Sequence, residues 1–384
     1  MEQTKKDIII TVTKQFGEST AVWFAATRSF VLLEKPAFEV FDQYIHDIPV
    51  ASIVDYFIAT YNAAIEDSKR FVNDIIEGIN QLNNPENAVY EPQKVRVEFD
   101  NYSYPIYAEK YYLIGNTTIC FRYGNEWLMD CFHPTMAHLE SDSTSSDHLL
   151  EVVALNDLYI FRYNGISQEA FSVENGHYLR GAVSQKLFGI VYDIEYRDWM
   201  VTLHSAAISD GKSVLIFPAE AGSGKSTLTA ILQAHDYTVL SDDFNAINRI
   251  NKSAYRLPLS ISVKEGSLKT LKPFYPQLGD IVPEKAVTGK VVRYLPVANN
   301  DPKSKVAFPV KAFVFVKYSK DGPFIFEEVE RKEAMQSLLP ETWVNPDPEN
   351  VKQFFNWFDE IVFYRLQYSD YHDALVSISM LFNK

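Results

Sequence analysis

Cysteine is scarce in this chain of 384 residues, with Cys120 and Cys131 making up the whole complement. A disulfide framework is excluded, and the two are expected as free thiols on strands in a reducing compartment. Cys131 stands near His133 and His138, but a fourth ligand is missing and the spacing fits no standard zinc site. Long apolar runs are lacking as well. Nothing approaches the roughly 18 residues that a membrane-spanning helix needs. The opening MEQTKKDIIITVTKQF has neither a long hydrophobic stretch nor a small-residue cleavage site, so it does not read as a signal peptide. The cytoplasm is the expected compartment. Positive charge is short too: the net charge of −14 opposes binding to nucleic acid or to an anionic membrane, because both depend on a summed positive potential. No internal repeat is visible.

Aromatic residues are what the chain has in quantity. With 23 Tyr and 26 Phe in a composition that is 47% hydrophobic, it can bury a sizeable core spread over two or three domains. The runs IIITVT and VWFAATRSFVLL, separated by FGEST, predict a β-ribbon. Helical periodicity follows over residues 36–82, with Phe38, Phe41 and Ile45 on one stripe, Ile53, Phe57 and Tyr61 on a second, and Phe71, Ile75, Ile76 and Ile79 on a third. Pro36 suits the first turn of the first helix, and Pro49 separates it from the second. Three helices beside a small sheet make residues 1–84 a unit of the size of a winged helix. NNPENAVYEPQK, residues 83–94, reads as a linker.

Residues 95–195 read as a β-rich middle region. Its expected strands are VRVEFDNY, KYYLIGN, TTICFRYGN and EWLMDCF, with hairpin turns at Gly115-Asn116 and Gly124-Asn125, then LYIFRYNG and QEAFSVENG. An amphipathic helix is expected over residues 178–192. From residue 196 to 384 the order strand, strand, helix, strand (WMVTLH, SVLIFPA, STLTAILQ, TVLSDD) predicts a mixed α/β core. Further strands KVVRYLPV and KAFVFVKY follow, and a helical finish over residues 349–382. The fold class expected is therefore a multidomain α+β and α/β chain: winged helix, β-rich middle, and a nucleotide-binding core.

The chemistry concentrates in that core. In SVLIFPAEAGSGKSTLTAIL a buried strand runs through a glycine-rich turn into a helix, and such a turn aims several backbone N–H groups and the positive end of the helix dipole at one point. Ala221, Gly222, Ser223, Gly224, Lys225, Ser226 and Thr227 are the candidate phosphate-binding residues, although Ala219 stands where the usual pattern has its first glycine. Lys225 supplies a mobile charge for the terminal phosphates, and the Ser226 hydroxyl is placed to ligate Mg²⁺. Downstream, VLSDDFNAI ends an apolar run on Asp242 and Asp243, a pair that can divide metal binding from proton acceptance. His204 ends WMVTLH, on the strand that precedes the one feeding the loop.

The stretch LHSAAISDGKSVLIFPAEAGSGKSTLTAILQAHDYTVLSDDFNAI resembles the core of the HPr kinase/phosphorylase family, which shares its nucleotide-binding fold with phosphoenolpyruvate carboxykinases. The likeness continues in LPLSISVKEGSL, KVVRYLPV and YRLQYSDYHDALVSI. It implies an ATP- and Mg²⁺-dependent kinase in which Lys225 and the loop hold phosphates and Ser226 and Asp243 hold the metal. Asp242 is then the base that deprotonates the acceptor hydroxyl, with His204 supporting the transferring phosphate; the two aspartates could exchange roles. Lys264, Glu265 and Arg293 are further candidates, but the family's downstream signature is not reproduced around them. The resembling family forms hexamers, so a homo-oligomer is one expectation. Nothing in the sequence reads a base, so GTP or pyrophosphate stays open as donor.

The first unit carries a second likeness. SFVLLEKPAFEVFDQYIHDIPVASIVDYFIATYNAAIEDSKRFVNDIIEGINQL resembles PqqD-like domains, small winged-helix modules that bind leader peptides by strand addition. Residues 1–90 hold seven Lys/Arg against thirteen Asp/Glu, whereas a DNA reader is normally basic. The expected acceptor is thus a Ser/Thr hydroxyl of a peptide or protein, with a small hydroxylated metabolite, or a non-catalytic nucleotide-gated regulator, as the alternatives.

Overall fold

The computed structural model describes residues 9–88, 103–218, 220, 222–285, 289–298 and 306–383. The chain is mixed α/β, with ten α-helices among the described residues, none of them long and apolar enough to cross a membrane. VRVEFDNY, expected as a strand, and the loop residues Ala219 and Ala221 lie outside the described residues. Two compact units emerge. One holds the described residues up to 88 together with Glu330–Pro340 and Val344–Asp359, and the other holds the remainder.

In the first unit β1 (Thr11–Phe16), β2 (Ser19–Phe24) and β3 (Ser29–Glu34) form an antiparallel sheet. The run VWFAATRSFVLL is thus two strands and not one, because residues 25–28 turn the chain, with Arg28 at φ 56°. Three helices follow: α1 (Lys35–Ile45) with Pro36 in its first turn, α2 (Val50–Tyr61) capped by Pro49, and α3 (Ile65–Leu82). Every residue of β2 is buried, which requires cover on both faces of the sheet. Val22 and Phe24 pack against Phe41 and Ile79 on one side. On the other, Phe16 and Phe30 meet Phe354, Phe355 and Phe358 of the helix Pro348–Glu360 at ring-centroid distances of 5.4–6.3 Å.

The second unit opens with β4 (Ala108–Ile114) and β5 (Thr117–Tyr123), joined at Gly115-Asn116 as the sequence predicts. EWLMDCF, expected as a strand after a second hairpin, is instead α4 (Glu126–Met136), with Cys131 on it. The Asn125 side chain accepts the Leu128 N–H at 2.8 Å and so caps a helix, and Leu128, Cys131 and Phe132 are buried at helical spacing. After β6 (His148–Leu155), β7 (Leu158–Tyr163) and β8 (Ile166–Ser172), which complete a five-stranded sheet, comes α5 (Gly176–Tyr192).

A nine-stranded sheet then positions the site. Its first members are β9 (Trp199–Ser209) and β10 (Val214–Pro218), followed by α6 (Lys225–Ala234), β11 (Thr238–Ser241), β12 (Phe244–Asn248) and β13 (Ser253–Tyr255). The short β14 (Ile261–Lys264), α7 (Leu268–Leu271), β15 (Glu284–Lys285) and β16 (Val291–Leu295) stand beside it, the three strands as a separate small sheet. β17 (Ala307–Tyr318), β18 (Ile325–Glu328), α8 (Arg331–Leu338), β19 (Thr342–Val344), α9 (Pro348–Glu360), β20 (Val362–Tyr368) and α10 (Tyr371–Asn383) finish the chain. The expected helical finish is therefore interrupted: β20 lies parallel to β17 inside the sheet. β10 is also parallel to β17, so Pro218, Tyr318 and Tyr368 end three parallel strands at one edge.

Candidate active site

The site begins where β9 changes partner. Residues 199–204 of β9 pair with β12 and residues 205–209 with β10, so His204 sits at the handover, opposite Phe244 and next to the Ser205–Pro218 pair. It is also the one residue of β9 that is not fully buried. The same handover brings the chain after β11 alongside, and Ser205 N–H donates to Asp243 O at 3.2 Å.

β10 is apolar and buried along its whole length, and it delivers the chain to the loop before α6. Gly222 and Gly224 take φ values of 98° and 95°, which L side chains rarely adopt. Gly224 also has no room for a side chain, since a Cβ there would lie 2.8 Å from Tyr318 Cβ. The loop is tied down on both sides, by Ser223 N–H to Glu220 O at 3.2 Å and by Tyr318 N–H to Ser223 O at 2.7 Å. α6 has no acidic residue in its first turn, so the positive end of the helix is left uncompensated by its own side chains.

Four of the expected residues meet here. Lys225 is buried, with Nζ 3.5 Å from His204 Nε2, and His204 Nδ1 lies 3.1 Å from Asp243 Oδ1, which makes a chain from ammonium through imidazole to carboxylate. Asp242 points elsewhere. It is 4% exposed, its Oδ2 accepts the Ser262 N–H at 3.2 Å, and the Ser226 hydroxyl and Lys225 ammonium are among the groups that favour its anion. Its Oδ1 is buried without a hydrogen-bond partner. A hard divalent cation takes such oxygens, so Asp242 Oδ1 with the Ser226 hydroxyl is the donor set the site offers to Mg²⁺.

The two carboxyls are driven apart. Burial raises the pKa of Asp242 above the ordinary carboxylate range, opposed by Lys225 and Ser226. For Asp243 desolvation pushes the same way, but the hydrogen bond from His204 and the charges of Arg180 and Lys225 outweigh it and hold the group well below that range. Its side chain is 49% exposed, unlike that of its neighbour.

Arg180 is the member of this cluster that the sequence does not reveal. It reaches from α5 to place Nη2 3.3 Å from Asp243 Oδ2. No local pattern flags it; the available signal is that Leu179 and Val183 define a buried stripe on α5, which leaves Arg180 just off the stripe and free to reach sideways. Thr227 shares a 2.6 Å hydrogen bond with Ser267, so it is engaged beside the loop. Glu265 and Arg293 form an ion pair with each other, Arg293 also donates to Ile281 O at 3.0 Å, and no described contact joins them or Lys264 to the four. Burial pushes the Cys131 thiol up to about 12, which disfavours its thiolate form. Neither the family models nor the curated proteins compared with the chain give a match.

Proposed function

We propose that the chain is an ATP- and Mg²⁺-dependent phosphotransferase of the HPr-kinase-like type that phosphorylates a Ser/Thr hydroxyl of a peptide or protein. The observation that carries this reading is the convergence of His204, Lys225, Asp242 and Asp243 at the strand end from which the glycine loop enters α6. Phosphoryl transfer asks a protein mainly for positioning and charge neutralisation, and that group of residues supplies both.

Accessibility assigns the two aspartates. An acceptor hydroxyl on a bulky peptide reaches the partly exposed Asp243 and not the buried Asp242. The roles implied by the resemblance are therefore exchanged in this reading: Asp242 and Ser226 hold Mg²⁺, and Asp243 orients the acceptor hydroxyl and takes its proton. Mg²⁺ bound there supplies neutralisation of the terminal phosphates. Lys225 and the first amides of α6 hold the phosphate oxygens, while His204 and Arg180 fix the Asp243 carboxylate in place. A carboxylate kept this acidic is a weak base. That suffices for a loose transition state, in which the hydroxyl proton leaves late and orientation matters more than basicity.

The three-stranded sheet and three helices of the first unit, with their acidic balance, favour a peptide-recognition module of the PqqD-like type over a nucleic-acid reader. The test is direct. Purified protein with ATP, Mg²⁺ and a precursor peptide encoded near its gene is expected to add the mass of one phosphate to the peptide, and Lys225→Ala is expected to abolish the addition. Absence of transfer to every such peptide would remove the peptide reading, and transfer to a free hydroxylated metabolite would replace it.

A further inference from the structure

The groups placed in the site address phosphate, metal and the acceptor hydroxyl, and none of them addresses a nucleobase. Tyr318, the last residue of β17, is 49% exposed. Open tyrosines at strand ends are common, but this one is fixed to the loop. Its N–H donates to Ser223 O at 2.7 Å, and Gly224 approaches so closely that its own Cβ would overlap that of Tyr318. Tyr368, at the end of the parallel neighbour β20, meets its ring at 63° with 5.8 Å between centroids. Beyond it Ser319 N–H donates to Tyr368 O at 2.9 Å, and Gly322 N–H closes the turn on Ser319 O at 3.1 Å. The residue is thus held from one side while about half of its surface stays open to solvent.

Its position in the sheet points the same way. β10, β17 and β20 are parallel, and ligands of open α/β sheets sit outside the carboxyl ends of such strands. The end of β10 leads to the loop, and the end of β17 is Tyr318. A base carried by phosphates seated on the first turn of α6 therefore has an aromatic surface beside it.

We propose that Tyr318 is the stacking platform for the base of a nucleoside triphosphate whose phosphates are held by residues 222–227. This rests on the phosphotransferase reading and names the residue that would hold the base of its nucleotide donor. Stacking uses the π-face and not the hydroxyl, so phenylalanine serves as well as tyrosine, and it holds different bases with little preference.

The experiment is calorimetric titration of the full chain, Tyr318→Ala and Tyr318→Phe with Mg²⁺ and either adenylyl imidodiphosphate or tripolyphosphate. The alanine variant is expected to bind the nucleotide about ten-fold more weakly, the scale of one lost base–aromatic stack, and tripolyphosphate with about unchanged affinity. The phenylalanine variant is expected to match the parent on both. Equal losses on both ligands would show that Tyr318 merely shapes the loop and would overturn the proposal, as would no loss on either. A parent chain that binds tripolyphosphate as tightly as nucleotide would overturn it too while leaving the phosphate-binding loop standing. A parent that binds neither would overturn the phosphotransferase reading and this proposal with it.

Discussion

Asp242 and Asp243 share a peptide bond but not an environment, and the difference has measurable consequences. The folded chain raises the pKa of Asp242 by burial, so Asp242 binds a proton more tightly folded than unfolded. Stability from that group is present below the unfolded value of about 3.9 and is lost as pH rises through the folded value. Without metal, Asp242→Asn is expected to be more stable than the parent at pH 7.5 by about 1 kcal/mol, the usual scale of strain relieved at a functional site. Thermal melts across pH check this, and the gap should close toward pH 4. The same variant is expected to lose Mg²⁺-dependent nucleotide binding. Asp243→Asn is expected to keep that binding while lowering kcat by about 10²–10⁴-fold, the range of a lost proton acceptor. The opposite pattern between the two variants would restore the roles implied by the family resemblance.

At the scale of elements, what was legible in the sequence was what local chemistry dictates. The loop GSGK, the turn at Gly115-Asn116 and Pro36 at the start of α1 each follow from a backbone requirement that a few adjacent residues reveal. The errors arose where local and distant signals competed. EWLMDCF has enough Trp, Leu, Met and Phe to pass for a strand, and only the Asn125 cap and the spacing of Leu128, Cys131 and Phe132 mark it as helix. Asn125→Ala is therefore expected to cost about 1 kcal/mol, read as a lower denaturation midpoint with the slope unchanged. A shift of the slope would point to a change in the unfolded chain instead. VFYRLQY reads as part of a helical stretch because it is a run of only seven residues between two helical patterns, although Tyr364, Leu366 and Tyr368 are buried in alternation with the half-buried Arg365 and Gln367. Its partner β17 begins more than 50 residues earlier. In the site, His204, Lys225, Asp242 and Asp243 were readable from motif and order, whereas Arg180 was not, because its contact with Asp243 spans 63 residues and follows no spacing rule.

The whole molecule returns to its own beginning near its end. Residues 348–359 follow more than two hundred residues of the second unit, yet Phe354, Phe355 and Phe358 are buried through contacts that include Phe16 and Phe30. Removing residues 1–88 does not lift off a freestanding module. It strips cover from α9, and each uncovered phenylalanine forfeits roughly 1.5–3 kcal/mol of burial, against a total stability of about 5–15 kcal/mol for a typical domain. The ion pairs Lys14–Asp359 at 3.1 Å and Lys332–Glu34 at 2.6 Å would go as well, but exposed pairs of this kind contribute little. The truncated chain is expected to bind a hydrophobic dye, to aggregate at micromolar concentration and to melt below the parent. Loss of peptide phosphorylation in it would then follow from damage to α9 as readily as from loss of recognition. A truncated chain that stays monomeric with the parent's melting temperature would show instead that α9 needs no such cover, and its residual transfer to the peptide would then measure recruitment by the first unit alone.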